Sequence, residues 1–323
     1  MLYITEEQTS RAVSVESAIP ILRRAYLQCT EENVVAGPRL VMDLDQSGNK
    51  GQWLTANSPV DGFFGSKFSA VFPKNPSAGN PATISTISLY SSETGELIAL
   101  VAANILTSIK TAASAAIATD LLARKDASRL CIIGTGLQAF DQALAIRQVR
   151  DVREVIVFDL DHKRAEKFVA SLEAVEGWDI KTTVAQSADA AVAEADIVCT
   201  CTTSRKPVFN GSALKPGTHI NAIGSYSPDM QEIDCETVMR AGCVTTEHVD
   251  GLWAAAGDLI IPREKGLIDE SKVNGSVGDL LKGTISGRVG DSTITLYESV
   301  GSAVLDLAIA IETYRKVAIK SSI

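Results

Sequence analysis

The stretch CIIGTGLQAF, residues 131–140, joins an apolar run to a helical pattern through two closely spaced glycines. Gly134 permits a tight turn, Gly136 lets the backbone approach a phosphate, and Ala139 lets the helix pack closely on the strand. This spacing is the G-x-G-x-x-A form of the dinucleotide-binding fingerprint, which places phosphates at a helix N-terminus. We therefore predict a dinucleotide site in this loop, which also contains Thr135, Leu137 and Gln138.

Asp159 ends the next strand pattern, EVIVFD, about 25 residues after Gly134. A carboxylate at this place accepts hydrogen bonds from the ribose hydroxyls of NAD and would repel the 2′-phosphate of NADP. The alternative is an ordinary strand-end aspartate that caps a turn, and the basic residues of segment 162–164 could still serve a phosphate. The prediction is NAD, with NADP possible.

The residues on either side of this motif alternate between short β-branched runs and helical patterns. RLCIIG, EVIVFD, DIKTTVA, DIVCTCT, THINAIG and AGCVTTE are the strand patterns. This alternation is typical of a doubly wound parallel sheet. The predicted fold class is α/β, with a Rossmann domain over residues 120–295.

The residues before this domain have a different pattern, with strands and turns that include a hairpin candidate at residues 93–96. The pattern of the closing segment SVGSAVLDLAIAIETYRKVA predicts a long helix with an apolar stripe, and we expect this helix to pack on the first domain. The second predicted domain is therefore an α+β N-terminal domain, residues 1–119, completed by the C-terminal helix within residues 296–323.

Composition excludes several classes of protein. The chain has 323 residues, 46% of them apolar, and a net charge of −9, which disfavours nucleic acid and anionic membrane as partners. No leader-like N-terminus is apparent, and no segment approaches the roughly 20 apolar residues of a membrane span, so we expect a cytoplasmic protein. The six cysteines have no CxxC spacing and the chain has three histidines, so we predict no metal site. Cys199 and Cys201 are expected in a buried strand.

Five segments in this order resemble the ornithine cyclodeaminase/μ-crystallin family, and the resemblance runs from about Pro38 to Ala308. They are LTSIKTAASAA, IIGTGLQA, ADIVCTCTTSRKPVF, HINAIGSYSPDMQEID and GSAVLDLA. The resemblance implies a nicotinamide cofactor in the central domain, and substrate and homodimer contacts in the N-terminal domain. It also implies chemistry on amino acids and their imines, because the family includes ornithine cyclodeaminases, cyclic ketimine reductases and alanine dehydrogenases.

The resemblance assigns roles to two basic residues. Arg39 matches an arginine that binds the substrate carboxylate, a task that suits the two-pronged guanidinium. Lys67 matches a lysine that contacts the substrate and is a candidate proton donor or water activator, because the pKa of an ammonium on an apolar strand is readily lowered. Without the resemblance, both residues would be interpreted as surface cations.

Lys110 lies in the otherwise small and apolar run of residues 106–116. Thr107 or Ser108 is a plausible helix N-cap, which would place Lys110 in the first turn, where it opposes the helix dipole unless an anion is bound. Family members usually have arginine at this position, clamping the substrate carboxylate. We predict that Lys110 contacts the substrate carboxylate, in a site shaped differently from that of the arginine-bearing relatives.

Supporting roles at the cofactor site are predicted for residues that follow two of the strand patterns and for a glycine near the start of the last helix. CTTS ends a strand at the carboxyl edge of the sheet, where ligands bind, although polar turn chemistry explains it equally well. In GSAVLDLA, the glycine allows a close approach, whereas Asp306 is as compatible with an exposed helix position. The predicted cofactor residues of these loops are Thr202, Thr203, Ser204, Gly224 and Gly301.

Two departures from the cyclodeaminase pattern decide the predicted reaction. Cyclodeaminases carry an aspartate where this chain has Tyr226, and a glutamate near a strand where GQWLTANSP has no carboxylate. Asp229 lies one position after the proline, and we do not assign it the role of the missing catalytic aspartate. Reduction of a preformed imine needs only a hydride, a proton donor and a carboxylate clamp. We predict an NAD(P)H-dependent reductase of small α-imino acids; the alternatives are a cyclodeaminase that recycles NAD, an amino-acid dehydrogenase and a non-catalytic ligand-binding protein.

Overall fold

The computed structural model describes residues 1–31 and 33–321, without the side chains of residues 76, 77, 320 and 321. These residues form two compact units. The N-terminal unit comprises residues 1–110 and the segment from Ser302 onward, and the central unit comprises Thr111–Gly301. The sequence placed the two boundaries at 119/120 and 295/296. The first observed boundary lies inside a helix, which no change in local pattern marks.

The N-terminal unit is built on one sheet with the order β1-β7-β6-β5-β4-β2, and β3 also pairs with β4. All pairs are antiparallel except β1 with β7, and β6 and β7 form the hairpin predicted around residues 93–96. Its strands are β1 (Leu2–Ile4), β2 (Val35–Ala36), β3 (Leu40–Asp43), β4 (Lys50–Ser58), β5 (Phe63–Val71), β6 (Thr83–Ser91) and β7 (Leu97–Ala102).

Helices cover one face of this sheet. They are α1 (Glu6–Ala12), α2 (Val15–Thr30), the start of α3 (Asn104–Leu122) and the last helix of the chain, α11 (Ala303–Ser321); a short 3-10 helix spans Asn75–Ala78. Helix α11 lies against β4, β5 and β6. Alternation along β5 buries Gly65, Lys67, Ser69 and Val71 on a single face, because successive strand residues point to opposite sides.

The central unit contains an eight-stranded sheet whose paired strands all run parallel, in the order β10-β9-β8-β11-β12-β15-β13-β14. From β8 the chain adds β9 and β10 on one side and then returns to add β11 and the later strands on the other side. This change in strand order between β8 and β11 confirms the predicted doubly wound topology. The strands are β8 (Arg129–Ile133), β9 (Glu154–Phe158), β10 (Lys181–Val184), β11 (Ile197–Thr200), β12 (His219–Ala222), β13 (Ala241–Thr246), β14 (Gly275–Ser276) and β15 (Ile294–Glu298).

Seven helices of the central unit follow these strands. They are α4 (Leu137–Ile146), α5 (His162–Glu173), α6 (Ala188–Glu194), α7 (Cys235–Arg240), α8 (Val249–Leu252), α9 (Gly257–Glu264) and α10 (Val277–Lys282), with 3-10 helices at Gly211–Ala213 and Glu270–Lys272. Cys199 is buried in β11 as predicted, whereas Cys201 lies just beyond the end of that strand and is only half-buried.

Helix α3 corrects the expectation that no segment is long and apolar enough for a membrane span. Within the described ranges, this helix meets that test, with a mean hydropathy of 1.3 over an 18-residue window. Because 78% of that window is buried inside the structure, α3 is a core helix by its burial, and its apolar composition matches that position.

The C-terminal end of α3 is held by an arginine of the central unit. The Arg150 guanidinium donates to the carbonyl oxygens of Thr119, Asp120, Ala123 and Arg124 at 2.9–3.0 Å. The last carbonyl groups of a helix have no partner within the helix, and a cation also interacts favourably with that end of the helix dipole. One buried side chain therefore satisfies four carbonyl groups at this helix end, and the carbonyl of Leu122 accepts from Arg288 Nε at 2.7 Å.

Arg150→Ala is expected to lower the free energy of unfolding by about 3 kcal/mol, because several buried carbonyl groups lose a charged donor. Arg153→Ala is the control: its side chain is 77% exposed and pairs with Asp151. It should change stability by less than about 0.5 kcal/mol. Urea unfolding of both variants measures the difference, and equal losses would contradict the assigned role of Arg150.

Candidate active site

Three charged side chains of the N-terminal unit meet in its interior. Lys67 of β5, Lys110 of α3 and Asp306 of α11 are all buried, with side-chain exposures of 7%, 1% and 3%. Asp306 Oδ2 lies 2.6 Å from Lys67 Nζ, and Asp306 Oδ1 lies 3.6 Å from Lys110 Nζ. One carboxylate therefore lies between two ammonium groups. The structure corrects the interpretation of Asp306 as an exposed helix residue: α11 faces the sheet at this position.

Burial and neighbouring charges act in opposite directions on the pKa values of Lys67 and Asp306. Burial lowers the pKa of Lys67, Asp306 raises it, and the positive charges of Lys110 and Arg39 lower it, so that the pKa lies below the usual lysine value. Burial raises the pKa of Asp306, but the two lysines lower it below its usual value. The aspartate therefore stays anionic, and Lys67 gives up its proton more easily than an exposed lysine.

Arg39 lies half-buried in the loop between β2 and β3, and its charge reaches Lys67. The preceding turn is tight: Gly37 donates its N–H to the Thr55 carbonyl, and a Cβ on Gly37 would lie 2.3 Å from Thr55 Oγ1. The charges of Arg39 and Lys110 both act on Lys67, and the two lysines share the carboxylate of Asp306. Such an excess of positive charge favours an anionic ligand.

The local surroundings of Lys110 differ from the prediction. Helix α3 begins at Asn104, so Thr107 and Ser108 lie inside the helix, and Thr107 Oγ1 bonds the Ala103 carbonyl. The N-terminus is capped by Glu6, whose carboxylate accepts from the N–H groups of Asn104 and Ile105 at 2.8 and 3.0 Å. The predicted N-cap was therefore wrong, because a carboxylate far away in the sequence performs that task.

The fingerprint loop of the central unit has the geometry that its glycines predict. Gly134 has φ +87°, and a Cβ there would lie 2.7 Å from Thr202 Cγ2 and 3.0 Å from the Cys201 carbonyl oxygen. Gly136 is the N-cap of α4 and supplies no side-chain cap to that helix, while Ala139 is fully buried. The helix N-terminus is therefore shaped for a phosphate, and the residues present fit a dinucleotide.

Asp159 follows β9 and also holds the fingerprint loop. Its Oδ2 accepts from Thr135 N at 2.8 Å and Thr135 Oγ1 at 2.7 Å, and its Oδ1 accepts from Asp161 N at 3.0 Å. Burial raises the pKa of Asp159, but these hydrogen bonds and the charge of Arg164 lower it below its usual value. The carboxylate is anionic, and each oxygen has two lone pairs, so it retains capacity for a ribose hydroxyl.

A residue that the sequence did not single out, Glu232, organises the loops after β11 and β12. Its fully buried carboxylate accepts from Thr200 Oγ1, Thr202 N, Thr202 Oγ1 and Gly224 N at 2.6–2.8 Å. Burial raises the pKa of Glu232, while those four bonds favour its charged form. Thr202 and Gly224 are thereby brought together; Thr203 is exposed, and Ser204 continues the same turn by donating its N–H to Thr202 Oγ1.

The loop after β15 contains Gly301, which has φ +86°. Glu247 holds this loop by accepting from Ser299 Oγ at 2.5 Å and from Val300 N at 3.2 Å. A positive φ requires glycine at position 301. Like the loops of Thr202 and Gly224, this one lies at the carboxyl edge of the parallel sheet, where open α/β sheets bind ligands.

Neither Tyr226 nor Asp229, in the loop that departs from the cyclodeaminase pattern, supplies the missing base. Tyr226 is largely buried, and burial raises the pKa of its hydroxyl. Asp229 pairs with Arg205 at 3.1 Å and accepts from Ser227 Oγ at 2.5 Å. Asp229 is thus engaged in a surface ion pair, which supports leaving it out of the chemistry.

Comparisons with known proteins add independent findings. The model of the ornithine cyclodeaminase/mu-crystallin family matches residues 4–321. A Delta(1)-pyrroline-2-carboxylate reductase of Bacillus cereus is 32% identical over 318 residues, which cover 98% of this chain and 96% of the relative.

Two solved structures share the whole fold. The Delta(1)-pyrroline-2-carboxylate reductase of Thermococcus litoralis, in complex with NADH and L-proline, matches with a TM-score of 0.96 and 29% identity, covering 99% of this chain and 98% of that one. An archaeal alanine dehydrogenase dimer with bound NAD matches with a TM-score of 0.93 and 31% identity, covering 99% and 97%.

A buried carboxyl group at the end of β15 yields a prediction about stability. Neither oxygen of Glu298 has a hydrogen-bond partner within residues 1–31 and 33–321. Burial raises the pKa of Glu298 well above its usual value, and the nearby charges of Asp258, Glu232 and Glu247 raise it further. A raised folded-state pKa means that stability is lost as pH rises from the unfolded value, about 4.3, through the folded value.

Glu298→Gln removes this titration, so its free energy of unfolding should gain on that of the wild type as pH rises above about 5, by at most about 1.4 kcal/mol per pH unit. Urea unfolding from pH 5 to 8 measures the difference. The exposed Glu176→Gln variant is the control, and a difference between Glu298→Gln and wild type that does not vary with pH would show that Glu298 is ionised throughout.

Proposed function

We propose that this chain, which belongs to the ornithine cyclodeaminase/mu-crystallin family, is an NAD(P)H-dependent reductase of small α-imino acids. Its substrates are cyclic ketimines such as pyrroline-2-carboxylate, or the imines of short 2-oxo acids, and its products are amino acids. The observation that carries the proposal is the buried Lys67–Asp306–Lys110 group with Arg39 nearby, which combines a proton donor with an anion site. The similarity to pyrroline-2-carboxylate reductases supports it.

The proposed cofactor site lies in the central unit. When bound there, the reduced nicotinamide supplies the hydride for the imine carbon. Gly136 and the N-terminus of α4 hold the pyrophosphate, and Asp159 accepts hydrogen bonds from the ribose. The Asp159 charge favours NAD over NADP. The remaining proposed contacts are Gly134, Thr135, Leu137, Gln138, Ala139, Thr202, Thr203, Ser204, Gly224 and Gly301.

The proposed substrate contacts lie in the N-terminal unit. Arg39 and Lys110 bind the carboxylate of the imino acid, and Lys67 donates a proton from Nζ to the imine nitrogen. The balanced reaction consumes the imino acid, NADH and one proton and gives the amino acid and NAD⁺. The lowered pKa of Lys67 favours the donation step. Lys67 is left neutral after each turnover and recovers its proton from solvent.

Reduction is favoured over cyclodeamination because the two carboxylates of the cyclodeaminase pattern are missing. Tyr226 occupies one of these positions, and segment 51–59 of β4 and its turn has no acidic residue. Oxidation of an amino acid is the reverse reaction, and the similarity to an alanine dehydrogenase makes it the second candidate. The two candidates use the same residues and differ in the favoured direction.

The proposed assembly is a homodimer formed through the face of the N-terminal sheet that α11 does not cover. Leu40, Met42, Phe64 and Ile84 lie on this face with 37–55% of their surface exposed. Trp53 and Phe68 on the same face contact each other with ring centroids 4.7 Å apart. An apolar patch of this kind marks an interaction surface, and the archaeal neighbour is a dimer.

The reductase proposal is tested with purified protein, NADH or NADPH, and a panel of pyrroline-2-carboxylate, piperideine-2-carboxylate, and pyruvate with ammonia. NADH oxidation with at least one imine is expected, with NADPH the weaker cofactor. Ornithine with NAD⁺ and detection of ammonia is the parallel reaction. Ammonia release from ornithine without any imine-dependent NADH oxidation would replace the reductase by a cyclodeaminase.

Lys67→Ala is expected to lower kcat at least about 100-fold while NADH still binds, because the general acid is lost and the nucleotide site is in the other unit. Lys316→Ala, on the partly exposed side of α11, is the matched lysine control and should retain wild-type rates. Steady-state kinetics and a fluorescence titration with NADH measure the two effects. A Lys67→Ala protein with wild-type kcat would remove this residue from the chemistry.

Ile84→Asp is expected to reduce the proposed dimer to monomers, because a charge would be buried in an apolar interface. Leu160→Asp is the control, since Leu160 is 97% exposed in the central unit. Light scattering after size-exclusion chromatography gives the mass of each variant. A dimer that persists in Ile84→Asp would place the interface elsewhere.

A further inference from the structure

The carboxylate of Asp306 contacts its two lysines unequally. The 2.6 Å separation from Lys67 is a close ion pair, whereas the 3.6 Å separation from Lys110 is too long for a hydrogen bond. We propose that Asp306 is a positioning residue, which holds the Lys67 ammonium charged and in place and leaves Lys110 to the carboxylate of the arriving substrate. This inference rests on the proposed function, because it concerns the same lysines.

Charge balance is the first step of the argument. Asp306 from α11, Lys110 from α3 and Arg39 from the β2–β3 loop are the charged groups that act on Lys67. Lys67 and Lys110 therefore share the Asp306 carboxylate, and the charge of Arg39 also acts on Lys67, in a region where burial penalises an uncompensated charge. One carboxylate between two ammonium groups leaves a net positive charge, which the negative charge of a substrate carboxylate would balance.

The position of Lys67 is the second step. Leu54 and Ile87 are its strand neighbours, opposite it in β4 and β6, and both are buried and apolar. Its ammonium therefore has apolar residues on both neighbouring strands and a carboxylate from the helix that covers them. Removing that carboxylate would leave Lys67 under the positive charges of Lys110 and Arg39 alone, which favours its neutral form.

The third step concerns the substrate. A carboxylate bound at Arg39 and Lys110 brings a negative charge close to Lys67 and offsets the two cations that lower its proton affinity. Binding of the substrate therefore promotes protonation of the group that later donates the proton. A small neutral imine without the carboxylate should consequently lose kcat as well as affinity, because it leaves Lys67 less protonated.

The inference predicts the pH dependence of turnover. Each kinetic constant should decline at alkaline pH as Lys67 loses its proton, and this decline is the alkaline limb of the pH profile. The limb should lie at higher pH in the profile of kcat, which reports the substrate complex, than in that of kcat/KM, which reports the free protein. Asp306→Asn should move both limbs to lower pH by about one unit or more and lower kcat about 100-fold at the wild-type optimum. Asp306→Glu keeps the charge and should restore the limb positions at a reduced kcat.

Asp61→Asn is the matched control, because Asp61 belongs to the same unit and pairs with Arg315 of α11 at 3.2 Å. Its limbs should coincide with those of the wild type. NADH binding and circular dichroism check that each variant is folded, and Asp306→Glu carries the test if Asp306→Asn does not fold. Unmoved limbs in a folded Asp306→Asn protein, or limbs of Asp306→Glu that are displaced as in a charge-removing variant, would overturn the inference.

A binding measurement separates this inference from the reductase proposal. Pyrrole-2-carboxylate is a flat cyclic carboxylate that NADH does not reduce readily, and its binding to the NADH complex can be followed by calorimetry in two buffers of different ionisation enthalpy. Wild-type protein should take up protons on binding, Lys67→Met should take up none, and Asp306→Asn should shift the uptake to lower pH.

The outcomes distinguish the two proposals. Proton uptake that depends on Asp306 in a protein without reductase activity would keep the charge coupling and reject the proposed function. Reductase activity with proton uptake and pH limbs that do not depend on Asp306 would keep the function and reject the role of Asp306.

Discussion

The ion pair between Lys67 and Asp306 joins the last helix of the chain to the N-terminal sheet. Lys67 lies on a central strand of the N-terminal sheet, on the face that helices cover, so its ammonium loses water on folding. An ammonium in that position needs a counter-charge, and the nearest one comes from α11, the last helix of the chain. Helix α11 therefore supplies both apolar cover and a carboxylate. A continuous N-terminal domain ending at α3 would lack both.

Carboxylates in the central unit serve the backbone. Glu232 clamps the loops after β11 and β12, Asp159 clamps the fingerprint loop, and Glu247 clamps the loop after β15. Asp258 in turn accepts from the N–H groups of Glu232 and Ile233 at 2.7 and 2.9 Å. Irregular backbone at the ligand-binding edge of a sheet has no strand partners, so side chains must satisfy it. An acidic residue at this edge is therefore weak evidence for a catalytic base.

The sequence predicted the features whose causes are local. A strand, two glycines, a small residue and a helix follow one another within ten positions, and the structure has each where the fingerprint places it. The features that the sequence failed to predict depend on contacts between residues far apart in the sequence. Glu6 caps a helix that begins at Asn104, and Asp306 pairs with Lys67 across most of the chain. No periodicity or turn signal reports such a contact, because only the folded sheet brings the partners together.

Lys110 stays a predicted substrate contact, but the reason for it has changed. The helix N-terminus cannot supply the anion site, since Glu6 already occupies it. What favours a carboxylate near Lys110 is the excess of cations around Asp306. An ammonium attracts a carboxylate as a point charge and accepts several approach directions, whereas a guanidinium imposes a planar two-pronged geometry. With lysine at this position, the proposed carboxylate site has its directional geometry from the Arg39 guanidinium, and Lys110 adds charge without fixing an orientation.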